Sequence, residues 1–108
     1  MKLAEIIRYL TNPNLIEQWF QESNINPETE AVFICCKEKL DIDSDVCLFT
    51  IDETNGDLFF EKNGAKYYEL FDVEHAINLI EHDLQLKKRE YTDMQIAVRL
   101  FEYRLNDA

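Results

Sequence analysis

The chain has only two glycines, and each follows an asparagine: Asn55-Gly56 and Asn63-Gly64. An Asn-Gly pair takes positive φ at two consecutive positions with little steric cost, the requirement of a two-residue hairpin turn. Strand-like runs flank both pairs, at residues 46–51, 58–62 and 65–71, and a continuous apolar run at 31–36 precedes them. The stretch from Ala31 to Phe71 therefore predicts a four-stranded antiparallel meander with acidic residues in its turns. The first turn pairs Ile51 with Phe60 and Phe49 with Lys62. The second pairs Phe60 with Tyr67 and Lys62 with Ala65, and sets Glu61 opposite Lys66 as a cross-strand ion pair. This register collects Cys47, Phe49, Ile51, Leu58, Phe60, Tyr67 and Phe71 on one face, expected to be the core. Val46, Leu48, Thr50, Phe59, Tyr68 and Leu70 fall on a mixed second face, to be covered by a helix or by a partner.

Helical spacing brackets this stretch. Leu3, Ile6, Ile7 and Leu10 fall at i, i+3, i+4 and i+7, the pattern of one buried helix face. Asn12-Pro13 then starts a second helix, with Asn as N-cap and Pro at the first helical position, carrying Leu15, Ile16, Trp19 and Phe20 inward. Asn24 to Pro27 ends it. Asp72 is the N-cap expected for a third helix bearing Val73, Ala76, Ile77, Ile80 and Leu84, with Lys87, Lys88 and Arg89 at its negative end. Thr92-Asp-Met-Gln95 is a capping-box pattern for a last helix, with Ile96, Ala97, Leu100 and Phe101 on its apolar face. The expected architecture is one α+β domain over residues 1–108: two N-terminal helices, a four-stranded antiparallel meander and two C-terminal helices packed on one sheet face.

An apolar fraction of 46% and an aromatic fraction of 12% suit a folded domain and argue against disorder. The formal charge of −11 is the outstanding bulk property. Residues 1–84 carry 18 acidic and 6 basic residues, whereas residues 85–108 carry 4 and 5. Such a field opposes direct binding to nucleic acid or an anionic membrane and speeds encounter with a basic partner. Cys35, Cys36 and Cys47 form no CxxC pair and lie in predicted strands, where reduced cysteine behaves as a small apolar residue. Glu5 and Arg8 interrupt any apolar leader core, and no run reaches membrane-spanning length, so the chain reads as cytoplasmic.

No motif specifies catalysis. Asp41-x-Asp43-x-Asp45 has the opening of a calcium loop but holds Val46 where the turn requires Gly and Asp52 where a bidentate Glu belongs, so it reads as a solvated acidic loop. His75 and His82, seven apart on the third helix, are about 10 Å apart, too far to share one zinc ion. No glycine-rich phosphate loop, nucleophile elbow or HExxH is present, and no cofactor is implied. What stands out is acidity around the predicted sheet. Asp52, Glu53 and Asp57 flank the first Asn-Gly pair, and Asp41, Asp43 and Asp45 precede the second strand at its other end. Carboxylates around apolar side chains such as Phe59 and Tyr68 match the anatomy of a surface that binds a basic protein. Solubility and protection of sheet edges account for the same acidity with no partner.

The segments Phe71-Asp-Val-Glu-His-Ala-Ile77, Tyr91-Thr-Asp-Met-Gln-Ile-Ala97 and Phe101-Glu-Tyr-Arg-Leu-Asn-Asp-Ala108 resemble the ends of small immunity proteins of bacterial contact-dependent or polymorphic toxin systems. The resemblance covers the last third of the chain and implies a non-enzymatic protein that binds and blocks a cognate toxin, commonly a basic nuclease. On that reading Asp41, Asp43, Asp45, Asp52, Glu53 and Asp57 stand in for substrate phosphates, and Phe59 and Tyr68 anchor the complex. Two alternatives are a nucleic-acid mimic that inhibits a DNA- or RNA-binding protein, and a small enzyme. A homodimer through the mixed sheet face is compatible with all three.

Overall fold

A computed structural model describes residues 1–26, 31–83 and 90–107. The first helix, α1 (Leu3–Thr11), begins where Glu5 Oε1 accepts from the Lys2 backbone N–H at 2.9 Å and buries Leu3, Ile6, Ile7 and Leu10. Pro13–Leu15 forms one 3₁₀ turn, closed by Leu15 N donating to Asn12 O, and leads into α2 (Ile16–Glu22). Trp19 and Phe20 are buried, with the indole stacked on Tyr9 at a centroid distance of 4.9 Å. Asn24, at φ 59°, ends this helix in the left-handed conformation that Asn tolerates.

Four antiparallel strands follow: β1 (Val32–Lys37), β2 (Val46–Thr50), β3 (Phe59–Lys62) and β4 (Ala65–Asp72). Their order in the sheet is β2-β1-β4-β3, two hairpins joined through β1 and β4, and not the expected meander. The second Asn-Gly pair makes the anticipated turn, with Phe60 opposite Tyr67, Glu61 opposite Lys66 and Lys62 opposite Ala65, but the exposed Glu61 and Lys66 side chains do not form the expected ion pair. The first does not. Thr50 caps a single helical turn, α3 (Ile51–Thr54): its backbone N–H donates to Glu53 Oε1 at 3.1 Å and its hydroxyl lies 3.2 Å from the same oxygen. Asn55, at φ 54°, then closes that turn by donating to Ile51 O at 2.8 Å, and Gly56 follows at φ 76°. The positive φ of Asn55-Gly56 thus serves a helix end, so Ile51 does not pair with Phe60 nor Phe49 with Lys62. β2 pairs with β1, setting Ile34 opposite Leu48 and Cys36 opposite Val46.

The helices cover one face of the sheet, and it is not the face anticipated as core. Val32, Ile34, Cys36, Val46 and Leu70 are buried in one cluster with α1, α2, α4 (Val73–Asn78), the π-helical turn Leu79–Asp83 and α5 (Asp93–Asp107), and Leu48 and Tyr68 pack against that cluster. The mixed face is therefore the main core. A bulge between β1 and β4 skips Leu70: Ile34 lies opposite Phe71 and Cys35 opposite Glu69, and Leu70 and Phe71 are both buried. Phe71 consequently joins the main core, leaving Cys47, Phe49, Phe60 and Tyr67 on the far face. Leu58 and Ile51 are exposed.

Asp72 caps α4 as expected, accepting from Glu74 N at 2.8 Å. The capping box of α5 is also present, with Thr92 N donating to Gln95 Oε1 at 2.8 Å and Gln95 N donating to Thr92 Oγ1 at 3.2 Å. Leu84 and the basic residues Lys87, Lys88 and Arg89 lie outside the described residues. Among the described residues no helix is long and apolar enough to cross a membrane.

Two stability measurements check this arrangement. Ile34 is fully buried between β2 and β4, so Ile34→Ala should lower the unfolding free energy in urea by about 2–5 kcal/mol. At the left-handed position 55, Asn55→Gly should change it by less than about 0.5 kcal/mol and Asn55→Val should cost about 1–2 kcal/mol.

Candidate functional site

Because β2 and β3 lie at opposite edges of the sheet, the connection between them must cross it. It crosses the far face. Glu53 forms an ion pair with Lys62, and the Lys62 ammonium sits 5.2 Å from the centre of the Phe49 ring. Beneath them Phe49 meets Phe60 edge-on at 5.1 Å and Tyr67 at 4.7 Å, while Phe60 and Tyr67 stack at 5.5 Å. Thr54 is only 2% exposed, and Phe49 and Cys35 are buried. The far face is thus a second, smaller apolar layer roofed by α3.

The acidic residues fall in two groups at the two ends of β2. In the β1–β2 connection the Asp41 carboxylate accepts from Asp43 N at 2.8 Å, and Asp41 O accepts from Ser44 N, which folds the loop on itself. Asp41, Asp43 and Asp45 point into solvent, and Asp45 lies 3.6 Å from the Met1 amino group. Asp52 and Glu53 on α3 and Asp57 ahead of β3 form the second group, all exposed. Glu53 is engaged, and its carboxyl is held below the usual range chiefly by the hydrogen bond from Lys62. Asp41, Asp43, Asp52 and Asp57 have no ion-pair partner among the described residues. Phe59 and Tyr68 are register partners with rings 5.0 Å apart on the helix-covered side, away from both groups: Tyr68 is half-buried against the core and Phe59 is 47% exposed.

A groove absent from the sequence reading lies beside β4. β3 has four residues and β4 eight, so among the described residues the second half of β4 has no outer strand neighbour beyond Leu58. Leu58, Leu70, Phe71, His75, Tyr103 and Arg104 enclose about 310 Å³ there. Arg104 Nε donates to the Glu69 carbonyl at 3.1 Å, occupying the strand carbonyl that β3 does not reach. His75 meets Phe71 and Tyr103 edge-on at 5.8 and 6.2 Å. Burial pushes the Glu69 carboxyl up, against the nearby Arg104 guanidinium. The lining spans residues 58 to 104, and no local motif announces it.

The thiols are poor nucleophiles at neutral pH. Burial pushes Cys36 up to about 11, and raises Cys35 and Cys47 as well. Among the described residues no three of His, Cys, Asp and Glu converge in a way that would hold a metal ion.

The two perturbed carboxyls predict opposite pH trends, relative to the ordinary value of 4.5. Glu53, depressed in the fold, adds stability at neutral pH that is lost as pH falls through its folded value. Glu69, raised in the fold, adds stability below 4.5 that is lost as pH rises through its folded value. Urea titrations at several pH values should therefore show Glu69→Gln gaining on the parent from pH 3 to neutrality and Glu53→Gln losing ground. Parallel profiles would contradict both environments. Comparison of the chain with protein-family models, characterised proteins and solved structures finds no match.

Proposed function

We propose that this chain is an immunity-type protein that binds a basic toxin domain, a nuclease by the chemistry of its surface, and blocks its active site. The observation that carries this reading is the set of exposed carboxylates without ion-pair partners, Asp41, Asp43, Asp52 and Asp57, grouped at the two ends of one edge strand. Unpaired like charges repel one another in the free protein, and a basic partner relieves that repulsion while being steered by the field. Asp45 and Glu53 extend the two groups, and Phe59, with Tyr68 behind it, offers the apolar contact at the opposite edge. Two compact groups separated by a strand suit a pair of basic clusters around an active site better than an evenly spaced phosphate ladder. That favours the toxin inhibitor over the nucleic-acid mimic.

The test is inhibition of the toxin encoded beside this chain, followed by association kinetics. Glu53 caps α3 and pairs with Lys62, so neutralising it would disturb the fold; Asp52→Asn with Asp57→Asn is the cleaner change. The double variant should associate about 3–10-fold more slowly at low salt, with a flatter salt dependence and a nearly unchanged dissociation rate. An association rate equal to the parent's would remove these residues from the interface. Full toxin activity in the presence of excess chain would reject the function itself.

A further inference from the structure

The two edges of the sheet are finished differently. On β2, Asp45 O accepts from Lys37 N at 2.8 Å on the inner side, and hydrogen-bond direction alternates along a strand. Val46, Leu48 and Thr50 therefore face outward. Val46 N donates to Met1 O at 2.7 Å and Thr50 N donates to Glu53 Oε1 at 3.1 Å, so this edge is tied down at both ends. On β3, Leu58 O accepts from Glu69 N at 3.0 Å, which turns Leu58, Phe60 and Lys62 toward β4. Phe59 and Glu61 turn their N–H and C=O groups away from it, and those groups have no partner among the described residues. Leu58, 63% exposed, and Phe59 give the same edge an apolar surface. An open, apolar strand edge is a template for another strand.

We propose that the chain forms a two-fold dimer in which β3 pairs antiparallel with β3 of a second copy, centred on Phe60. Outward positions must meet outward positions, which leaves three symmetric registers. Centring on Glu61 sets two carboxylates face to face. Centring on Phe59 sets Glu61 opposite the partner's Asp57. Centring on Phe60 brings Phe59 opposite the partner's Glu61 twice over, places no like charges opposite, and completes both outward pairs of hydrogen bonds. It also sets Leu58 against the aliphatic stem of the partner's Lys62. The occupant follows from charge. Residues 58–71 carry Glu61 and Glu69 against Lys62 and Lys66, a neutral stretch in a chain of charge −11. A second acidic copy therefore meets less repulsion along this hairpin than along the Asp41–Asp45 loop at the start of β2.

This dimer covers Phe59, which the toxin reading also uses, so the two compete at that residue, and salt separates them. Salt screens repulsion between two acidic copies and strengthens the dimer, whereas it weakens association with a basic protein. Sedimentation equilibrium from about 10 µM to about 1 mM, a range in which even weak contacts populate, should show the mass rising from one chain toward two, and more so at high salt. Glu61→Pro removes an outward N–H that β4 does not use, so it should keep the circular dichroism of the parent and stay monomeric. Under mild oxidation Phe60→Cys should yield a covalent dimer above the parent's background. Glu61→Cys should not, because its two copies lie about 8 Å apart in this register, beyond disulfide reach. One-chain mass throughout the range at both salt levels overturns the proposal. So does a dimer that survives Glu61→Pro, or equal cross-linking by the two cysteine variants; should the proline variant unfold, the cysteine pair decides.

Discussion

One carboxylate holds the crossing from one edge of the sheet to the other. Glu53 accepts from the backbone N–H of Thr50 and pairs with Lys62, so it both ends β2 and fixes the segment that follows. Once Thr50 caps a helical turn, the chain leaves the plane of the sheet, crosses the far face and re-enters at the opposite edge. β1 is then free to take β4 as its second neighbour, and the apolar run it carries is buried between two strands and two layers. The cap is worth about 1 kcal/mol and acts in the same direction as the larger gain from burying Val32, Ile34, Cys35 and Cys36 between β2 and β4.

The two layers differ in kind. The main core is aliphatic and helical, where Ile6, Ile7, Leu10, Ile34, Leu79, Ile80 and Leu100 interlock with almost no exposed surface. The far-face layer is small and aromatic, three rings under an ion pair, so directional ring contacts and the Lys62 cation contribute more of its cohesion. Its roof is a single helical turn, and Glu53 on that turn is held by the same contacts that close the layer. Surface chemistry and packing are therefore coupled at α3. The Asp41–Asp45 loop is folded by its own hydrogen bonds and tied to the core through Ile42 and the Cys36 thiol, which donates to Asp41 O.

Two helix starts are legible because caps are local: Asp72 and Thr92-x-x-Gln95 each carry their signal within four residues, whereas Asn12-Pro13 opens a 3₁₀ turn and α2 itself begins at Ile16. Asn63-Gly64 was legible for the same reason, and it fixed the β3–β4 register. The sheet order is hidden although Thr50-x-x-Glu53 has the same capping spacing as residues 92–95, because the Asn-Gly pair behind it offers a rival turn with the same positive φ. The faces were inverted because β2 alternates Val46 and Leu48 with Cys47 and Phe49, apolar on both sides, so a period of two has no sign. Exposure of the carboxylates followed from charge. The Glu53–Lys62 pair and the groove between Leu58 and Arg104 depend on segments distant in sequence meeting, which no local pattern encodes.

The bulge at Leu70 does more than admit an extra residue. In an unbroken strand the alternation would send Phe71 to the far face and Asp72 toward the helices. The added residue shifts the phase by one, so Phe71 turns inward and Asp72, opposite Phe33, turns outward with its carboxylate available to cap α4. The bulge therefore acts as a coupling between two periodicities, handing the chain from a two-residue repeat to a helical one with the right side chain at the junction. The spacing between Tyr68 and Asp72 is accordingly a fixed length, and a one-residue deletion there would set the helix layer out of step with the sheet beneath it.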